Sequence, residues 1–334
     1  MDGVVLLTEA DVARLANART AIRATRATFI AMARGATAMP PKLYLPLPRQ
    51  SDFRAMPAYV RRPAACGIKW VNVHPHNRRR GLPTVMAVIV MNDPATGAPI
   101  AVLDGLLITK LRTAASAAVA AKALARPDSR IVGLVGCGAQ AAAQVAALAA
   151  VFRLSRVRAW GAFPGEAARF CARMRRRHPG TRFEPVTAIK ACVQGADIVV
   201  TLTPSRRPLV KRGWLSPGTH VNAVGADAPG KQELDPRILQ DALVVVDERE
   251  QAVHGGELNM PISRRQFSAR RIHAELGEVL IGRKRGRSSR AQLTVFDSTG
   301  LAIHDIALAA EVVRKARRAG TGRRIRLFAA SSAV

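Results

Sequence analysis

Aromatic side chains are scarce in this 334-residue chain, at 4% of the total, so its core must be largely aliphatic. Cysteine is scarce too. Cys66, Cys137, Cys171 and Cys192 lie far apart with no C-x-x-C pair, which excludes a disulfide scaffold and a zinc-finger spacing and fits free thiols in a reducing compartment. Apolar runs such as residues 85–91 fall well short of the ~20 residues that a membrane span requires. The first residues show no basic start followed by an apolar stretch. The expectation is a soluble, cytoplasmic protein with no metal site and no membrane partner. Acidic residues are the last shortage: 23 Asp and Glu face 52 Lys and Arg, for a net charge of +29. Such an excess attracts polyanions. Here it is scattered over residues 78–80, 175–177, 206–207, 264–265, 283–290 and 314–326, with no RNA-binding aromatic motif beside it. No specific nucleic-acid partner is expected.

What is present, 49% hydrophobic and 22% charged residues, describes a folded globular protein. Residues 9–34 have helical punctuation, with Thr8 as N-cap and Gly35 beyond the end. Prolines 40, 41, 46, 48 and 57 make residues 40–60 extended. Strands follow at 68–73 and 84–91, the second so continuously apolar that it reads as buried on both faces. A turn at 92–97 and a strand near 99–104 complete a hairpin. After an alanine-rich helix at 109–124, strand and helix alternate. Strands are expected at 131–135, 156–160, 197–202, 220–224, 243–246 and 293–296, with helices at 140–152, 164–177, 188–193 and after Asp235-Pro236. That alternation predicts an α/β fold with a Rossmann-type, doubly wound parallel sheet.

The strongest local signal is Gly136-Cys137-Gly138-Ala139-Gln140-Ala141, which follows an apolar strand and opens a helix. Gly136 permits the tight turn, Gly138 lets backbone approach a pyrophosphate, and free N–H groups at the helix start receive the phosphates. The loop implies a dinucleotide, NAD in the first instance. The acid expected after the second strand, to hold the adenosine ribose, is replaced by Gly161. With no adjacent arginine in its place, the choice between NAD and NADP stays open.

Three polar residues stand out elsewhere. Lys69 interrupts the apolar strand Gly67-Ile68-Lys69-Trp70-Val71, and is either an edge-face lysine or a buried functional amine. Arg112, near a helix start, is either an exposed helix arginine or a clamp for carboxylate or phosphate. Asp227, in the turn after the 220–224 strand, is either a capping residue or a group at the ligand crevice.

These segments, taken together, resemble the ornithine cyclodeaminase/mu-crystallin family, and most of all its archaeal-type alanine dehydrogenases. The resemblance runs through Met39-Pro40-Pro41-Lys42, Arg54-Ala55-Met56-Pro57-Ala58, Lys69-Trp70-Val71-Asn72 with His74-Pro75, and Gly81-Leu82-Pro83-Thr84-Val85-Met86. It continues through Leu111-Arg112-Thr113, Gly136-Cys137-Gly138, the stretch Val224-Gly225-Ala226-Asp227-Ala228-Pro229-Gly230-Lys231-Gln232-Glu233-Leu234, His254-Gly255-Gly256-Glu257, and Phe296-Asp297-Ser298-Thr299-Gly300-Leu301-Ala302.

The resemblance implies an α+β substrate-binding and dimerisation domain at residues 1–120 and 306–334, a Rossmann domain at 121–305, and a homodimer. It implies Lys69 and Asp227 as the catalytic pair, with Lys42, Arg54, Arg112 and Thr299 around the substrate. Thr84, Arg112, Gly136, Gly138, Ala139 and Gln140 would line the cofactor. So would Thr203, Val221, Asn222, Ala223, Val224, Lys231 and Ser298. The implied reaction is hydride transfer between a nicotinamide and the Cα of a small amino or keto acid, with ammonia taken up or released. Cyclodeaminases of the family place a carboxylate where this chain has Arg54. A cation there would repel the distal ammonium of ornithine, so L-alanine and pyruvate fit better. Lys42, the segment Pro204-Ser205-Arg206-Arg207-Pro208 and Ala226 point the same way. Ornithine cyclodeaminase, cyclic ketimine or pyrroline-2-carboxylate reductase, and a non-enzymatic NADP-binding crystallin are the alternatives. Retained Lys69 and Asp227 argue against the last of these.

Overall fold

The computed structural model describes residues 3–49 and 51–327, apart from the side chain of Arg78. The first two residues, and the end of the expected 306–334 segment beyond 327, lie outside the described residues. The chain divides into two compact units: Met1–Arg112 with Leu301–Val334, and Thr113–Gly300. The first division falls inside helix Leu106–Leu124 and the second just before helix Ala302–Ala319.

The first unit is a mixed sheet with helices on one face. From one edge, its strands run Arg323–Ile325, Val4–Leu7, Pro99–Asp104, Val85–Asn92, Ala65–Val73, Ser51–Val60 and Thr37–Ala38, with Leu43–Leu47 also paired to Ser51–Val60. All neighbours are antiparallel except Val4–Leu7 against Pro99–Asp104. Helix Ala302–Ala319 lies across the three strands Ser51–Val60, Ala65–Val73 and Val85–Asn92, with helix Ala18–Ala33 against it.

The single helix expected at 9–34 is two. Thr8 caps Glu9–Leu15 through a reciprocal bond with Asp11, and Asn17 then caps Ala18–Ala33 by accepting from the Thr20 N–H. An Asn side chain competes for backbone donors, and so restarts the helix there. The strand read as buried on both faces is not. In Val85–Asn92, Ile89 and Met91 are buried while Val88 is 46% exposed. Helices cover only one face of this largely antiparallel sheet, so burial alternates along it.

The second unit holds an eight-stranded sheet, parallel throughout. Its order is Arg182–Pro185, Arg156–Trp160, Ile131–Val135, Ile198–Thr201, His220–Ala223, Thr294–Asp297, Leu243–Val246 and Ala274–Glu275. This is the doubly wound arrangement. The chain first builds outward from Ile131–Val135 in one direction and then in the other, so order reverses between Ile131–Val135 and Ile198–Thr201, the place where such sheets open a ligand crevice. Aliphatic clusters fill both faces, one around Leu134, Val145, Leu148 and Phe170, the other around Val199, Val221, Leu239 and Val295. The edge strands Arg182–Pro185 and Ala274–Glu275, and the small parallel pair Arg206–Val210 with Gln232–Leu234, were not expected. All four are short, and Arg206–Val210 is mostly exposed, with Arg206, Arg207 and Pro208 blurring any alternation.

Candidate active site

In the first unit, strand pleating puts Arg54, Met56, Lys69 and Ile89 on the helix-covered face. Met56 pairs with Lys69, and Lys69 with Ile89. Lys69 is therefore the buried amine of the two readings, at 1% exposure. Its Nζ donates to Asp305 Oδ2 at 2.7 Å and lies 3.4 Å from the Thr109 hydroxyl. Asp305, fully buried in the first turn of helix Ala302–Ala319, accepts at its other oxygen from Arg112 Nε at 3.0 Å. One carboxylate thus bridges the two cations singled out in the sequence.

Burial and the neighbouring Arg112 charge drive the Lys69 ammonium down from its usual range to about 7, against the opposing pull of Asp305, and Lys42 adds a smaller push. Burial works to raise Asp305, but the Arg112 and Lys69 cations outweigh it and keep the carboxyl below its ordinary value. At neutral pH Lys69 therefore exchanges a proton readily beside a fixed anion. Arg54, largely buried, grips Asp52 with two bonds of 2.8 and 3.1 Å and lies over the Tyr44 ring, 5.1 Å from its centre. Thr84 is half-buried immediately before strand Val85–Asn92, and its carbonyl accepts from the His74 N–H.

In the second unit, the glycine loop has the form the motif requires. Gly136 has φ +112°, which favours glycine, and a Cβ there would meet the Leu202 carbonyl and the Thr203 methyl at 3.2 Å. A Cβ on Gly138, in contrast, would meet nothing within 4 Å. Gly138 and Ala139 are exposed, and helix Ala141–Ala149 begins just after them. Among the eight buried polar side-chain atoms of this unit with no partner among the described residues are Gln140 Oε1, beside the glycine loop, and Ser298 Oγ, just past strand Thr294–Asp297. An open approach to backbone at a helix start, together with unspent polar atoms, fits a dinucleotide.

Asp227 lies in the half-exposed loop beyond strand His220–Ala223, ion-paired with Lys231. Two of the residues expected at the cofactor, Val221 and Asn222, have their side chains engaged within the unit. Val221 is fully buried in the aliphatic core, and the Asn222 amide donates to the Ala117 carbonyl while its oxygen meets the His220 ring. Alternation sends the two side chains to opposite faces of the sheet, and both faces are covered. Ala223 and Val224 are also buried, at the strand end. The Thr299 hydroxyl donates to Asp247 at 2.9 Å, and the same carboxylate receives the Gly300 N–H at 2.7 Å.

A set of buried acids holds these loops; the sequence marked Glu233, Glu257 and Asp297 only as members of the family-like segments, with no role of their own. Glu233 accepts from the Thr203 N–H and hydroxyl at 2.7 Å and from the Gly225 N–H at 3.0 Å. Glu257 accepts from the N–H groups of Glu233 and Leu234, and Asp297 from that of Glu257. Burial raises Glu233 to about 7 against its hydrogen bonds, and burial with the Glu233 charge raises Glu257 well above its ordinary range. Asp305 in the first unit was missed because nothing local distinguishes it from Glu311, the other acid of the same alanine-rich helix.

Gly225 is closely fitted here. A Cβ on it would come within 2.3 Å of the Thr203 carbonyl and 2.4 Å of Glu233. Gly225→Ala should therefore lower stability by about 1–3 kcal/mol and raise the KM of the reaction by displacing the Asp227 loop. Urea unfolding and steady-state kinetics check both, and an unchanged midpoint would contradict the fit.

The chain is 44% identical to alanine dehydrogenase of Archaeoglobus fulgidus over 97% of its own length and 98% of that protein. Among solved structures it is similar to an archaeal alanine dehydrogenase dimer with bound NAD, at TM-score 0.93 and 44% identity, covering 97% of this chain and 99% of that one. It is also similar to the Thermococcus litoralis Δ1-pyrroline-2-carboxylate reductase solved with NADH and L-proline, at TM-score 0.94 and 32% identity, covering 96% and 100%. Residues 3–320 match the ornithine cyclodeaminase/mu-crystallin family. With a glycine cradle in one unit and a buried lysine held by an acid in the other, this chain belongs to the ornithine cyclodeaminase/mu-crystallin family.

Proposed function

We propose that this protein is an NAD-dependent amino-acid dehydrogenase that interconverts L-alanine with pyruvate and ammonia. The observation that carries the reading is Lys69, an amine of depressed pKa held by a carboxylate in a cation-rich site. Bound nicotinamide supplies or accepts the hydride at the substrate Cα. The remaining work falls to the chain. In its ammonium form Lys69 donates to the keto or imine group and draws electron density from Cα. Arg112, with Lys42 and Arg54, supplies positive charge for the substrate carboxylate. Asp227 carries the proton to and from ammonia or water. Positioned proton transfer of this kind is worth about 10²–10⁴-fold in rate.

The 44% identity to an alanine dehydrogenase supports the alanine reading. The pyrroline-2-carboxylate reductases and ornithine cyclodeaminases among the relatives define the competing activities. Comparing kcat/KM for pyruvate with ammonia, Δ1-pyrroline-2-carboxylate and ornithine decides between them. The expected order puts pyruvate first, and a preference for either of the others would overturn the choice of substrate.

The dimeric relative supports a homodimer, and so does the uncovered face of the first unit's sheet. There Phe53, Ala55, Ile68, Trp70 and Val88 point away from the helices, with Trp70 41% and Val88 46% exposed. A patch of this kind marks an association surface. Val88→Arg should convert the dimer to monomer in sedimentation at micromolar concentration. A dimer as tight as the parent's would place the interface elsewhere.

A further inference from the structure

Gly161 follows strand Arg156–Trp160, where a dinucleotide-binding sheet ordinarily carries the acid that holds the adenosine ribose. The geometry explains why no side chain stands there. A Cβ on Gly161 would come within 2.9 Å of Glu166 Cβ and 3.1 Å of the Ala167 nitrogen. It would also lie 2.8 Å from Glu166 Oε2, little more than the distance from an aspartate's own Cβ to its carboxylate oxygens. Glu166 opens helix Glu166–Arg177 after the left-handed turn at Gly165, and folds back over the strand end. It is only half-buried, and no hydrogen bond or ion pair with a described residue commits its carboxylate. The same carboxylate reaches the glycine loop electrostatically. Burial first, then the Cys171 and Glu166 groups, push the Cys137 thiol up to about 12.

We infer that Glu166 takes the place of the missing strand-end acid, accepts the hydroxyls of the adenosine ribose, and selects NAD over NADP. The inference rests on the nicotinamide reading given above and settles the coenzyme within it. A 2′-phosphate on that ribose would be repelled by the carboxylate. Arg169 is the competing cation of this turn. Its guanidinium lies against Gly165, 2.7 Å from where a Cβ would be, and it points to the Pro164 carbonyl. An acid in the first turn also favours its own helix, a purely structural role that would not distinguish two coenzymes.

The test is calorimetric binding of NADH and NADPH to the full-length protein, parent against Glu166→Gln and Glu166→Arg, each with its thermal midpoint measured. The parent should bind NADH more tightly. Glu166→Gln should narrow the ratio of the two dissociation constants roughly 10- to 100-fold, the range for a hydrogen bond to a charged group. Glu166→Arg should favour NADPH. A ratio unchanged in both variants, or a parent that prefers NADPH, would overturn the role of Glu166 while leaving the nicotinamide reading intact. A parent that binds neither nucleotide would overturn that reading, and this inference with it.

Discussion

Asp227→Asn should lower kcat about 10²- to 10⁴-fold, the range for loss of a positioned proton carrier, while NADH binding stays within a few-fold of the parent. Asn keeps the shape of the side chain and its place in the 224–231 loop. It loses the charge that pairs with Lys231 and the ability to accept a proton. The loop should survive the change, because Glu233 anchors it at Gly225 through a bond that Asp227 does not share. Paired measurement of kcat and of coenzyme affinity separates the two effects. Turnover equal to the parent's would remove Asp227 from the chemistry, and loss of coenzyme binding alone would make it a structural residue.

Asp305→Asn should act on both stability and pH dependence. Removing one partner of a buried ion pair leaves the other charges uncompensated, which destabilises by about 3–5 kcal/mol. Here both Lys69 and Arg112 lose their anion. The pH effect has a definite sign. Asp305 favours the charged form of Lys69, so its loss moves an amine already near 7 to still lower values. If reduction of the keto acid needs the ammonium, kcat/KM of the parent falls as pH rises through about 7. In the variant the fall begins at lower pH. The folded-state pKa of Lys69 lies below the ordinary lysine value of 10.5, so the unfolded chain binds more protons between about 7 and 10.5, and Lys69's contribution makes stability rise with pH over that window. A kcat/KM limb in the same place for parent and variant would show that Lys69 is not the titrating group.

Where the sequence was legible, the physics was local. The turn at Gly136 and the open approach at Gly138 are decided within a few residues, by a strand that stops and a helix that starts. Lys69 was ambiguous for the opposite reason. Whether a lysine in an apolar strand is exposed depends on what covers it, and its counterion, Asp305, is 236 residues away in the chain. The apolar run around Val88 misled because a second copy of the chain, rather than a second layer of helices, is the expected cover for one face. Val221 and Asn222 were expected at the cofactor only through the resemblance, and the structure places their side chains on the two covered faces of a parallel strand. Gly161 read as a gap because sequence alone does not show a helix residue five positions on folding back over it.

Hydride transfer to the substrate Cα is the central claim, and isotope transfer tests it most directly. Pyruvate, ammonium and NADH carrying deuterium at the reactive C4 position are incubated with the enzyme, and the amino acid formed is analysed by mass spectrometry. The account predicts L-alanine with deuterium at Cα from one of the two C4-labelled forms and none from the other. Absence of labelled alanine from both, with enzyme that binds NADH, would contradict it.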